Sequence, residues 1–245
     1  MIIYGRNPVL ELLRNNPGKV QNICVGKGTK KSLIGEIISL SRSKNIKIDY
    51  LDISELSRMC ATSKHQGVAA SVEEFRYSSI REILDSLDNV HKDKLIVLLD
   101  HIEDPQNLGA IIRSVEVLGG DAVVIPKDRS ASVTPAVVKT SAGAVNYVPV
   151  AMEVNLSTVI STLKKNGFWV VGTDQNADKN IGDTDLKGMD IALVIGAEGR
   201  GLSEGLRKNC DYVVKIPNVG NINSLNASVA AGILLYHLSS LRNIN

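Results

Sequence analysis

The sequence predicts an α/β protein, with a mainly parallel sheet in its larger C-terminal part and a smaller α/β unit ahead of it. Three observations predict it. "KLIVLLD" (94–100) is a short run, apolar at nearly every position, as in a strand buried on both faces. From there Val- and Ile-rich runs alternate with helical patterns, the order that builds parallel sheets. Apolar residues make up 44% of the 245 and aromatic ones only 4%, so the core is aliphatic.

The elements follow in order. "NPVLELLRNN" offers Asn7 as a helix cap and Pro8 at the first helical position. "VQNICV" and "IKIDYL" read as strands around a helix near 31–44. "DISELSRMC" opens a helix capped by Asp52 or Ser54, and "GVAASV" closes a unit near residue 72. The polar stretch "EEFRYSSIREILDSLDNVHKD" (73–93) reads as a linker with a short helix. The expected organisation is therefore residues 1–73, a linker 74–93, and a second domain 94–245. In that domain strands are expected at 94–99, 121–125, 147–150, 168–173, 191–195 and 211–216. Helices are expected at about 105–118, 134–142, 155–166, 203–209 and 224–241.

Net charge is +2, unevenly spread. Residues 1–74 hold 11 Lys/Arg against 7 Asp/Glu, and the remainder holds 17 against 19. A basic N-terminal part is compatible with a polyanionic partner, through Lys27, Lys30, Lys31, Arg42, Lys44 and Lys47, but charge alone is explained better by solvated surface lysines. Three cysteines without C-x-x-C spacing predict reduced thiols and a cytoplasmic protein. No signal peptide and no membrane span is expected. The four histidines show no metal spacing; each reads as an ordinary surface or core residue, and no metal is expected.

Ligands of parallel sheets bind beyond the carboxyl ends of the strands, which directs attention to three loops. "DPQNLGAIIRSVEVLG" puts Asn107 in the first turn of a helix capped by Asp104, with Arg113 about 9 Å further along. "VIGAEGRGLS" runs a buried strand into Gly196, Gly199 and Gly201, with Glu198 between them. Its G-x-x-G-x-G order after a late strand is a poor fit to a dinucleotide site. "IPNVGNINSLNASVA" holds more polar side chains than one helix cap needs; Asn223 or Ser224 is the expected cap.

Together, in this order and spacing, these three motifs resemble the SpoU (TrmH) family of RNA ribose 2′-O-methyltransferases. The resemblance spans 95–240. "IIYGRNPVLELL" and "HQGVAASV" are similar to the small RNA substrate-binding domain that some members carry, in the arrangement of the RlmB-like enzymes that methylate a guanosine ribose in 23S rRNA. The resemblance implies a deep trefoil knot, S-adenosylmethionine (SAM) as cofactor, RNA as partner and a homodimer; Ile233, Leu234, Leu235 and Leu238 of the last helix read equally as its interface or as simple core packing. It implies cofactor contacts near Thr173, Gly196, Ile216 and Leu225, and a catalytic set of Asn107, Arg113, Glu198, Ser224 and Asn226. Methylation of tRNA, or RNA binding without catalysis, are the competing expectations.

Overall fold

Short apolar strands with helices on both faces build a first unit, Met1–Phe75. Strands β1 (Ile2–Tyr4), β2 (Val20–Gly26), β3 (Lys47–Leu51) and β4 (Val68–Val72) lie in the order β1-β4-β2-β3; β2 and β3 are parallel and the other pairs antiparallel. Ile23, Val25, Val68 and Ala70 face helices α1 (Arg6–Asn15) and α2 (Lys31–Ser43), meeting Val9, Leu13, Ile34 and Ile37. Cys24 and Ala69 point the other way, onto Leu56 and Cys60 of α3 (Ile53–Cys60). The computed structural model describes residues 1–73, 75–88, 93–197, 199, 201–220 and 224–242.

The first helix starts one residue before the expected cap. Gly5 precedes it at φ +93° with no side-chain cap, and Pro8 falls inside the first turn, where a missing N–H costs nothing. A distant side chain does the capping: Arg6 N–H donates to Gln66 Oε1 at 3.0 Å.

The second unit, Arg76–Asn245, opens with α4 (Ile80–Leu87). A Ser79/Glu82 capping box starts this helix. Its Ile83 and Leu87 enter the main core, so the polar stretch carries an anchored amphipathic helix. Strands β5 (Leu95–Leu99), β6 (Ala122–Pro126) and β7 (Val150–Glu153) alternate with α5 (Pro105–Val117), α6 (Pro135–Thr140) and α7 (Leu156–Lys165). They are followed by β8 (Trp169–Thr173), β9 (Lys179–Asn180), β10 (Ile191–Ile195), α8 (Glu204–Asn209), β11 (Tyr212–Lys215) and α9 (Ala227–Leu241).

The sheet order is β7-β6-β5-β10-β8-β11-β9, parallel throughout. All five β5 residues are fully buried. Ile96 and Leu98 meet Val159, Ile160 and Leu163 of α7 and Leu206 of α8. Alternation turns Leu95, Val97 and Leu99 to the opposite face, where α5, α6 and α9 pack on one another. The strand expected at 147–150 begins only at Val150, because residues 144–146 form a tight 3₁₀ turn after Gly143 (φ +85°). Among the described residues no helix is long and apolar enough to cross a membrane.

The last helix corrects its expected cap. It starts at Ala227, and Asn226 is the cap: its Oδ1 accepts from the N–H groups of Ser228 (3.0 Å) and Val229 (3.3 Å). Ser224 lies before the helix, and Asn223 lies outside the described residues. Leu234, Leu235 and Leu238 are buried within their own chain, which removes them from any interface; Ile233 is exposed.

Candidate active site

Because the strands are parallel, their carboxyl ends gather along one edge, and two cavities open there. The first, of about 560 Å³, lies over β8, β10 and β11. Thr173 ends β8, Gly196 follows β10, Ile216 follows β11, and Ser224, Leu225 and Asn226 lead into α9; all six line it. One wall is apolar, from Leu225, Ala227, Ala230 and Leu234. Thr173 Oγ1 donates to the Val194 carbonyl at 3.1 Å, tying two strand ends together beneath the cavity.

Gly196 shapes the floor. A Cβ there would meet the Gly201 carbonyl carbon at 2.3 Å and its oxygen at 2.4 Å, so the loop folds back against bare backbone. Gly201 N–H donates to Ala197 O at 3.0 Å and closes that fold. Gly199 and Gly201 hold φ of +73° and +66°, positions that glycine occupies without strain. Asp174 sits in the same wall, its carboxylate paired with Arg207 and accepting from Asn176 N–H at 2.8 Å.

The second cavity, of about 530 Å³, lies over β5, β6 and β10. Ala197 and Gly201 line both cavities, so the glycine loop is their shared wall. Asn107, only 6% exposed, lines the second. Its Oδ1 accepts from Asn226 Nδ2 at 3.0 Å, which joins a residue of one cavity to a residue of the other.

The structure therefore gathers Thr173, Gly196, Ile216, Leu225, Ser224 and Asn226 on one cavity and bonds Asn107 to that group. Arg113 stands apart: it is exposed on α5 and lines neither cavity. Glu198 lies outside the described residues. Sequence reasoning missed Asp174 and Asn218 in the first cavity, and Asp100, His101 and Arg129 in the second. The available signal was position, since Asp100, His101 and Asp174 directly follow buried strands. Packed against the core beside Gly172, the Cys210 thiol is pushed by burial up to about 11. Among the described residues no group of three or more His, Cys, Asp or Glu is placed to hold a metal ion.

Residues 94–236 match the SpoU rRNA Methylase family. The chain belongs to that family. Residues 2–78 of this SpoU chain match a second family, the RNA 2′-O ribose methyltransferase substrate-binding domain. YacO of Bacillus subtilis (strain 168), assigned to the TrmH family of tRNA/rRNA methyltransferases, is 36% identical over 241 residues, covering 98% of this chain and 96% of its own length. A relative from Staphylococcus epidermidis with the same assignment is 39% identical over 238 residues, 97% of this chain and 94% of its own. Among solved structures, the SpoU methyltransferase AviRb from Streptomyces viridochromogenes, in complex with the cofactor AdoMet, matches with a TM-score of 0.70 and 27% identity, over 98% of this chain and 89% of that one. The chain is thus an RNA methyltransferase of the SpoU family. Its parallel sheet, with β10 inserted between β5 and β8, is consistent with the trefoil-knotted SpoU fold.

Proposed function

We propose that this protein transfers the methyl group of SAM to a ribose 2′-oxygen of RNA, a guanosine of 23S rRNA, acting as a homodimer in the cytoplasm. One observation carries the reading: two cavities share the Ala197–Gly201 wall, and Asn107 and Asn226 are hydrogen-bonded between them. A donor and an acceptor held on either side of one wall suit group transfer, where positioning supplies much of the acceleration.

The first cavity fits SAM. Its apolar wall suits an adenine ring, and backbone near Thr173, Gly196, Ile216 and Leu225 can approach the ligand closely because Gly196 leaves no room for a side chain. SAM supplies, when bound, a methyl group activated by its sulfonium. Asn107 and Asn226 orient the ribose, Ser224 completes the hydrogen-bonding frame, and Arg113 binds the neighbouring phosphate and polarises the hydroxyl; Glu198 belongs to the set by its place in the motif alone. A guanidinium keeps its proton in proteins, which suits an orienting role. The 2′-hydroxyl itself marks the substrate as RNA.

Two observations support the homodimer. Val229, Ile233 and Tyr236 lie on one stripe of α9 and are all exposed, an apolar face suited to a second copy. Arg113 lines neither described cavity of its own chain, which fits a role contributed to a partner's site. The N-terminal substrate-binding match and the family's rRNA designation support an rRNA target.

The test is methyl transfer from labelled SAM to separated 23S rRNA, 16S rRNA and tRNA. Label in 23S rRNA, recovered as 2′-O-methylguanosine, is expected. Label in tRNA alone would replace the rRNA target, and no label in any RNA would leave only an RNA-binding protein.

A further inference from the structure

The first cavity holds a charged group that has no part in the chemistry above. Asp174 directly follows β8, and its backbone is held on both sides. Its N–H donates to Val214 O at 3.0 Å, and its carbonyl accepts from Ala177 N–H at 3.0 Å. Its side chain is only 11% exposed. Among the described residues it is the one acidic residue that lines this cavity.

Two contacts aim the carboxylate. Oδ1 accepts from Asn176 N–H at 2.8 Å, and Oδ2 pairs with Arg207 of α8. Held there, it lies flat against Gly201: a Cβ on that glycine would sit 3.7 Å from both Cγ and Oδ2 and 3.9 Å from Oδ1. Gly201 belongs to the wall between the two cavities, and as a glycine it puts no side chain between that wall and the carboxylate. Arg207 is 41% exposed, so solvent screens its charge more than it screens the carboxylate it holds.

We infer that Asp174 sets the preference of this cavity for cationic SAM over its neutral-sulfur product, S-adenosylhomocysteine (SAH), so that loss of the methyl itself loosens the spent cofactor. The inference rests on the methyltransferase reading above and adds a specificity residue outside the catalytic set. Charge at sulfur is what the reaction changes. The methyl leaves without the bonding pair, the pair stays on sulfur, and a sulfonium becomes a thioether. Adenine, ribose, α-amino and α-carboxyl groups are common to SAM and SAH, so contacts with them hold both alike. A fixed negative charge tells them apart, and its attraction for a cation grows as water is excluded. Among the described residues the charged groups lining this cavity are Asp174 and Lys215, and of the two only Asp174 attracts a sulfonium. On the methyltransferase reading the methyl crosses the wall formed by Ala197 and Gly201, and the carboxylate stands against the Gly201 part of that wall.

The test uses the full chain and its Asp174→Asn variant, which keeps the side chain's shape and an acceptor oxygen for Asn176 N–H while removing the charge. Calorimetry measures three ligands on both proteins: SAM, SAH and sinefungin, in which an amine-bearing carbon replaces the sulfonium and keeps its charge. In Asp174→Asn the affinities for SAM and sinefungin should fall about tenfold, and that for SAH should stay within about twofold. Retained SAH binding also shows that the cavity is intact. Added salt should weaken SAM binding more steeply in the parent chain than in the variant. A SAM-to-SAH affinity ratio within about twofold of the parent's, whether the two affinities hold or fall together, would overturn this inference alone. Sinefungin that follows SAH instead of SAM would do the same. A parent chain that binds none of the three would overturn the methyltransferase reading and this inference with it.

Discussion

Asn226 Nδ2 donates to Asn107 Oδ1 at 3.0 Å, across 119 positions of sequence. The same Asn226 caps α9 through its Oδ1, so one side chain both starts a helix and fixes a residue of the neighbouring cavity. Asn226→Ala is expected to lose about 1 kcal/mol of stability from the cap. In a double-mutant cycle with Asn107→Ala, the effects on methyl transfer should be non-additive, since the residues touch. Urea unfolding and single-turnover rates of the three variants check both parts; strictly additive rates would separate the two asparagines.

Gly196 is the position where the loop after β10 meets itself. Gly196→Ala should weaken SAM binding at least about tenfold while the chain stays folded, because a Cβ 2.3 Å from the Gly201 backbone displaces the shared wall. Gly205→Ala, with open space around it, serves as the control and should leave affinity unchanged. Calorimetry with SAM reads both.

Arg113→Ala should retain SAM affinity and lose most of its turnover, since Arg113 lies outside the first cavity. Mixing Arg113→Ala with a Gly196→Ala chain should restore part of the activity if each site borrows Arg113 from its partner. Light scattering should give a dimer mass, and Ile233→Asp with Tyr236→Asp should shift it to a monomer.

Cys210 gives a pH dependence with a definite sign. Its thiol titrates at about 11 in the folded chain against the ordinary value of 9.0. The unfolded chain therefore loses the proton first as pH rises, so the contribution is full below pH 9 and is lost between about 9 and 11. The loss is on the order of 2–3 kcal/mol. Chemical unfolding from pH 8 to 11 should show this decline in the parent chain and a shallower one in Cys210→Ala.

The fold was legible because its strands are buried on both faces. An unbroken run such as "KLIVLLD" carries that signal by itself, and β5 and β10 emerge at the expected positions. The start of α1 was not legible, because its capping group comes from Gln66, sixty residues away. Nor was the start of α9, where six polar side chains compete in sequence and only geometry selects Asn226. That Thr173, Gly196, Ile216 and Leu225 come together was readable from the motif loops that follow the strands, and the structure gathers them on one cavity. For His101 the sequence offered only its position directly after a buried strand; that its ring meets the Asp100 carboxylate is visible in the structure alone.

The most direct test of the central claim is nucleoside mass spectrometry of rRNA and tRNA from cells with and without this protein. One 2′-O-methylguanosine in 23S rRNA should disappear without the protein and return with the parent chain but not with Arg113→Ala. An unchanged set of ribose methylations in both RNAs would contradict it.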